Sequence, residues 1–120
     1  MESKKIIPIN IWDDFYDDGF VPKGEKLETC IYVEDDDIPL DKKKIYLEIL
    51  LKYIKQNLNT NNIKLWLSLI ERKSFEGKSF DSWQIKIEGL THKRLHEWMV
   101  DLKNVDLKCD NIPFLIYSES

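Results

Sequence analysis

The sequence predicts an α+β protein with a ferredoxin-like core. From residue 27 onward, segments with strand and helix periodicity follow one another in the order β-α-β-β-α-β. This order is the split βαβ arrangement, an antiparallel sheet with both helices on one face. The length of 120 residues fits one domain, for which about 100–150 residues is common. We therefore expect a single domain over 1–120, with an N-terminal strand and acidic loop at 1–26 and the core at 27–117.

The first strands and the first helix follow from apolar spacing. KKIIPINIW (4–12) and LETCIYV (27–33) alternate apolar and other residues, which predicts an extra leading strand and the first core strand. Asp41 is a candidate N-cap for a helix over 42–58, whose apolar residues recur at a 3.6-residue period. The predicted inward stripe of this helix is Tyr46, Leu47, Leu50, Leu51, Tyr53, Ile54 and Leu58.

The second half of the chain repeats the pattern. Alternation predicts strands over 63–71 and 82–88, joined by an extended hairpin loop over 72–81. Gly89 closes the second of these strands, and Thr91 caps a helix that reaches about Asn104. IPFLIY (112–117) is the final strand.

The charge of the chain is unevenly distributed. The net charge is −4, but residues 13–41 contain eleven acidic and two basic residues, a local balance of −9. A basic protein is therefore the expected partner, and nucleic acid is not, because its phosphates would be repelled. No apolar run approaches the roughly 18 residues of a membrane span, and no signal peptide is visible, so we expect no membrane association and a cytoplasmic location. The Lys-, Ile-, Asn- and Asp-rich composition resembles that of low-GC bacterial proteins.

The stretch WDDFYDDGFVPKGE (12–25) has a spacing related to that of a calcium loop. With Asp14 at position 1, Asp18 falls at position 5 and Glu25 at position 12, as an EF-hand requires. Position 3 is Tyr16, a poor ligand for a hard cation, and Pro22 stands at position 9. We therefore predict an ordered acidic loop anchored by its aromatic residues, and keep calcium binding as an alternative.

Other patterns offer little chemistry. His92 and His96 lie four residues apart on the predicted second helix, but zinc would need further ligands. Gly77-Lys78-Ser79 lacks the first glycine of a phosphate-binding loop. No residue is identified as catalytic and no cofactor is expected. An enzyme with a small-molecule pocket that sequence does not reveal is the remaining alternative.

The sheet face opposite the helices is predicted to be partly apolar. If Leu65, Leu67 and Leu69 face the helices, the alternate residues of that strand face the other way. The residues expected on this face, as an open-face contact or as the contact of a homodimer, are Tyr32, Trp66, Ile70 and Tyr117.

The function predicted from these observations is that of a non-enzymatic protein-interaction module with an acidic binding surface. An immunity-type inhibitor, which would cover the basic cleft of a toxin, fits the size and the charge. The predicted binding residues are Trp12, Asp13, Asp14, Phe15, Tyr16, Asp17, Asp18, Asp35, Asp36 and Asp37. Acidic residues would steer association and aromatic residues would anchor it.

Overall fold

The computed structural model describes residues 6–13, 26–35, 37–73 and 76–118, and for residues 13, 26–28 and 72 it describes the backbone alone. Within these residues the chain forms an α+β fold, which confirms the predicted class. Its elements are β1 (Ile7–Asp13), β2 (Lys26–Val33), α1 (Leu40–Asn57), β3 (Lys64–Lys73), β4 (Ser79–Thr91), α2 (His92–Lys103), β5 (Lys108–Cys109) and β6 (Ile112–Ser118). No helix in the described part of the chain is long and apolar enough to cross a membrane.

The strands form one mixed sheet in the order β3-β4-β2-β1-β6-β5. β4 lies between β2 and β3 and is antiparallel to both, as in a split βαβ unit. The prediction of an antiparallel ferredoxin-like sheet is wrong at β1, which lies between β2 and β6 and runs parallel to β6. Because Ile7, Ile9 and Ile11 are all fully buried, this strand is apolar enough to occupy an interior position.

The core lies between one face of the sheet and the two helices. Cross-strand partners on this face include Ile9 with Val33, Ile11 with Ile31, and Ile31 with Ile85. The helices contribute the buried residues of their apolar stripes, as predicted, although Leu51 and Tyr53 are only partly buried. The buried helical residues are Tyr46, Leu47, Leu50, Ile54, Leu95, Trp98, Met99 and Leu102.

The two helices begin in different ways. Thr91 is the predicted N-cap of α2, and its Oγ1 accepts a hydrogen bond of 3.2 Å from the backbone N–H of Arg94. Asp41 is not the cap of α1: the helix begins at Leu40, and Pro39 occupies the cap position without a side-chain hydrogen bond. Asp41 lies in the first turn instead, where its carboxylate is favoured by the positive end of the helix dipole.

The β3–β4 hairpin is longer than the sequence predicts. Its ladder runs from Lys64 opposite Glu88 to Lys73 opposite Ser79, so much of the predicted loop over 72–81 is strand. The arms of the hairpin are mostly polar there, and backbone pairing extends beyond the apolar alternation that predicts strands from sequence.

β4 does not end at Gly89, as predicted, but continues to Thr91. Gly89 has φ +91° and faces a register shift between Leu27 and Glu28 on β2. A β-bulge of this kind accepts glycine because a Cβ is disfavoured at positive φ. The bulge re-aims the strand, so that Leu90 is buried and Thr91 leads directly into α2.

A short hairpin precedes the last strand. Cys109 pairs with Ile112, and between them Asp110 and Asn111 have φ of 52° and 67°. Two consecutive positive φ values are the geometry of a type I′ turn, which Asp and Asn tolerate better than most residues. Cys109 therefore lies in β5, which forms one edge of the sheet.

Candidate functional site

The sheet face opposite the helices, called the open face below, presents aromatic side chains from four strands. Register places two cross-strand rows on it. The first row contains Trp66, Lys86, Cys30 and Trp12, and the second row contains Tyr32, Asn10 and Tyr117. At about 4.8 Å between strands, the two tryptophans are about 14 Å apart at the ends of their row. All four aromatic residues are partly exposed.

Asn10 is at the centre of the second row and connects two neighbouring side chains. Its Nδ2 donates a hydrogen bond of 2.9 Å to the hydroxyl oxygen of Tyr32 and one of 3.4 Å to Oε2 of Glu34. Glu34 itself is exposed. The amide therefore connects the hydroxyl group of a tyrosine with a carboxylate at the surface.

The carbonyl oxygen of the same amide has no hydrogen-bond donor among the described residues. Asn10 is 0% exposed, and its Oδ1 accepts no hydrogen bond from the residues that the structure describes. A buried acceptor without a donor costs about 1–3 kcal/mol. In native proteins such groups have an explanation in bound water or an ion, in stored strain or in a functional role. Within the described residues Thr29 Oγ1, on the helix side of the sheet, is the other such atom, so Asn10 is the one on the open face.

The first row is amphipathic. Lys64 Nζ lies 5.4 Å from the ring centroid of Trp66, within the range of a cation–π contact. Lys86 lies between Trp66 and Cys30 in the row. The open face thus combines aromatic residues, which are enriched at protein interfaces, with two lysines, which are depleted there.

The four residues predicted for this face share it. Tyr32, Trp66 and Tyr117 lie in the two rows, and Ile70 lies beside them on β3, opposite Ser82 of β4. Sequence reasoning missed Asn10. A polar residue between two isoleucines of a strand signals only a solvated position, and the pairing of β1 with both tyrosine-bearing strands is not visible in the sequence.

The acidic residues are not brought together by the strands that the structure describes. Asp13 ends β1 opposite Thr29, whereas Asp35 follows the other end of β2, beyond Val33. Oδ1 of Asp35 accepts a hydrogen bond of 2.9 Å from the N–H of Asp37, and this turn leads into α1. The predicted residues outside the described part of the chain are Asp14, Phe15, Tyr16, Asp17, Asp18, Glu25 and Asp36.

A separate groove runs along α2. It has a volume of about 260 Å³ and lies between the helix and the end of β6. Its lining residues are His92, Leu95, His96, Met99, Val100, Lys103 and Ser118. The two histidines that the sequence analysis considered as zinc ligands both line it. In the described ranges, however, no three histidine, cysteine, aspartate or glutamate residues are grouped to hold a metal ion.

Comparison with protein-family models, curated proteins and solved structures finds no match to this chain.

Proposed function

We propose that this chain is a non-enzymatic, cytosolic protein-interaction module that binds a basic protein with the open face of its sheet. The observation that carries the proposal is the second row, where Asn10 donates to both Tyr32 and Glu34 while its own carbonyl oxygen has no donor in the described part of the chain. A tyrosine and a carboxylate that share one donor are preorganised for a cationic side chain of the partner. Preorganised groups bind more tightly because less conformational entropy is lost on association.

The aromatic residues supply the contact area of this proposed interface. Tyrosine and tryptophan are enriched among the residues that dominate binding energy, since each buries a large area with few rotatable bonds. Trp12, Trp66 and Tyr117 surround the Asn10 network in the two rows. The partner would cover these rings and leave the helices on the other face free.

The acidic region of the sequence, residues 13–41, is the reason for proposing a basic partner. Residues 13–41 carry a balance of −9, although the whole chain carries only −4. Such a field attracts a basic protein before contact and raises the association rate. An immunity-type inhibitor that covers the basic cleft of a toxin remains the specific form of the proposal that fits this charge.

The groove along α2 supports a second candidate, small-molecule binding or catalysis at His92 and His96. Its volume of about 260 Å³ lies below the range of about 300–1,000 Å³ that ligand pockets occupy. The open face is therefore the better supported site. The calcium alternative depends on Asp14, Asp18 and Glu25, which lie outside the described residues.

Tyr117→Ala is expected to weaken partner binding at least about tenfold, because the proposed interface loses an anchoring ring. The measurement is capture of basic proteins from a bacterial lysate on the immobilised chain, followed by titration of the purified partner. Val100→Ala is the matched control, since Val100 is 57% exposed on α2, on the helix side of the sheet. The amount of partner captured should also be much lower at about 1 M salt than at about 0.1 M. The Debye length, over which charges attract each other, is about three times shorter at the higher concentration. A partner retained equally by Tyr117→Ala and the wild type would contradict the proposal.

Asn10→Leu is expected to separate stability from binding. The change removes an unsatisfied buried acceptor, which offsets the loss of two partly exposed hydrogen bonds, so the free energy of unfolding should stay within about 1 kcal/mol of the wild type. Affinity for the partner should fall, because Tyr32 and Glu34 lose their common donor. Chemical unfolding and titration of the same preparation measure the two effects. If stability fell by more than about 2 kcal/mol with binding unchanged, Asn10 would be structural.

A further inference from the structure

β3 has one long edge that pairs with no other described strand. β3 is the outermost strand on its side in the described part of the chain, and its ten residues give an edge of about 33 Å. Every second residue of an edge strand directs its N–H and C=O outward, so about ten backbone groups point away from β4 along this edge. These groups match the unpaired backbone of another strand.

The usual protections of an edge strand are missing from the centre of β3. Natural edges are shortened, or carry lysine, proline or a bulge that prevents pairing with another chain. The opposite edge follows this rule, because β5 has only two residues. From Leu65 to Ile70, in contrast, β3 reads LWLSLI, with neither charge nor proline, and it pairs with β4 without a bulge.

The side chains of this edge are also incompletely covered on both faces of the sheet. Leu65, Leu67 and Leu69 point to the helix side, yet none of them is buried, and Leu69 is 46% exposed. Trp66 and Ile70 are only partly buried on the open face. The three isoleucines of the interior strand β1, Ile7, Ile9 and Ile11, are by comparison fully buried.

We propose that β3 pairs antiparallel with β3 of a second copy of this chain, forming a dimer with one continuous sheet. With the two-fold axis at Ser68, Trp66 lies opposite Ile70 of the second copy, and Leu67 lies opposite its Leu69. Aromatic and β-branched residues form favourable cross-strand pairs, so Trp66, Leu67, Leu69 and Ile70 each gain an apolar neighbour, whereas Leu65 lies opposite Glu71. The like-charged pair of Lys64 and Arg72 is unfavourable, but it lies only at the two ends of the ladder.

The geometry selects a closed dimer over a longer assembly. An antiparallel pair of identical strands is isologous: the β3 edge of each copy pairs with the β3 edge of the other, and neither β3 edge stays unpaired. The β5 edge, with two residues, offers too short a ladder to continue the sheet. Both open faces then lie on the same side of the joined sheet. The inference does not depend on the proposed function, because the dimer contains this chain alone.

Sedimentation velocity of the purified full chain, over a dilution series up to about 1 mM, tests this inference directly. The wild type is expected to sediment as a dimer that dissociates on dilution. Leu69→Lys should raise the dimer dissociation constant at least about tenfold, because a charge then faces leucine in the ladder. Ile45→Lys is the matched control: Ile45 is 48% exposed on α1, and the same replacement there should leave the dissociation constant unchanged.

If Leu69→Lys impairs folding, a second variant of β3 tests the same interface. Ser68→Lys lies on the other face and places two lysines opposite each other at the axis, so it should also give a folded monomer. Circular dichroism at the lowest concentration confirms that each variant is folded. A wild type that is monomeric at every concentration would overturn the proposal, as would a dimer that neither Ser68→Lys nor a folded Leu69→Lys weakens. A dimer that Ile45→Lys disrupts equally would overturn it as well.

Discussion

Gly89→Ala is expected to lower the free energy of unfolding by about 3 kcal/mol or more, a large effect for one methyl group. Gly89 has φ +91°, and a Cβ there would lie 2.7 Å from the carbonyl oxygen of Asn62. The methyl group would therefore combine backbone strain with a collision against backbone. The measurement is the midpoint and slope of urea unfolding, which separate a change in stability from a change in the unfolded state.

The segment that Gly89 contacts cannot move away cheaply. The Nε1 of Trp98 donates a hydrogen bond of 3.2 Å to the carbonyl oxygen of Asn59, and the Arg94 guanidinium donates to that of Asn61. Both donors belong to α2, so the connection between α1 and β3 is fixed against the second helix. A shift of Asn62 would disturb these contacts, and the collision cannot be relieved locally.

Gly77→Ala is the matched control for this prediction. Gly77 also has a positive φ, +81°, but a Cβ there would meet no atom of the described residues within 4 Å. Its replacement should cost only the strain of the left-handed conformation, about 1–2 kcal/mol. Equal losses for the two variants would show that the collision at Asn62 contributes nothing, and the account of the bulge would then be wrong.

Ile9→Ala is expected to lower the free energy of unfolding by about 2–5 kcal/mol, because it leaves a cavity in the core. Ile9 is 0% exposed, and β1 pairs with β2 on one side of it and with β6 on the other. A cost of this size is expected if Ile9 is buried in the core, as the structure places it. Chemical unfolding of the purified variant measures it.

Ile6→Ala provides the comparison for Ile9→Ala within the same segment. Ile6 immediately precedes β1 and is 41% exposed, so its truncation should change stability by no more than about 0.5–1 kcal/mol. If both variants lost the same small amount of stability, the burial of Ile9 in the core would be contradicted.

Local patterns in the sequence predict the elements of this fold better than their arrangement. The alternation of β2, the stripe of α1 and the cap at Thr91 each depend on residues within a few positions of one another. The place of β1 does not: it depends on pairing with β2 and β6, at opposite ends of the chain. Alternating isoleucines predict a strand, but they carry no information on which strands flank it.

The differences between the predicted and the observed strand ends also arise from long-range pairing. Gly89 is typical of a strand end, but the chain uses its positive φ to form a bulge and continue to Thr91. The polar arms of the β3–β4 hairpin pair through their backbones, which no side-chain pattern reports. Such features follow from long-range register, and a single sequence does not specify register where the side chains are polar on both faces.

The aromatic residues of the candidate site could be predicted from the sequence, but Asn10 at its centre could not. Tyr32, Trp66 and Tyr117 follow from alternation on strands, once the helix-facing residues are identified. Asn10 is defined by its burial and by hydrogen bonds to Tyr32 and Glu34, more than twenty positions away in the chain. The same long-range pairing that places β1 inside the sheet therefore also builds the site.

Mapping the interface by NMR tests the central claim most directly. Amide chemical shifts of the ¹⁵N-labelled chain would be compared before and after addition of the basic protein that it captures. The account predicts changes concentrated at Asn10, Trp12, Tyr32 and Tyr117, with α1 and the α2 groove unaffected. Changes confined to His92, His96 and the rest of that groove, with the open face unperturbed, would contradict it.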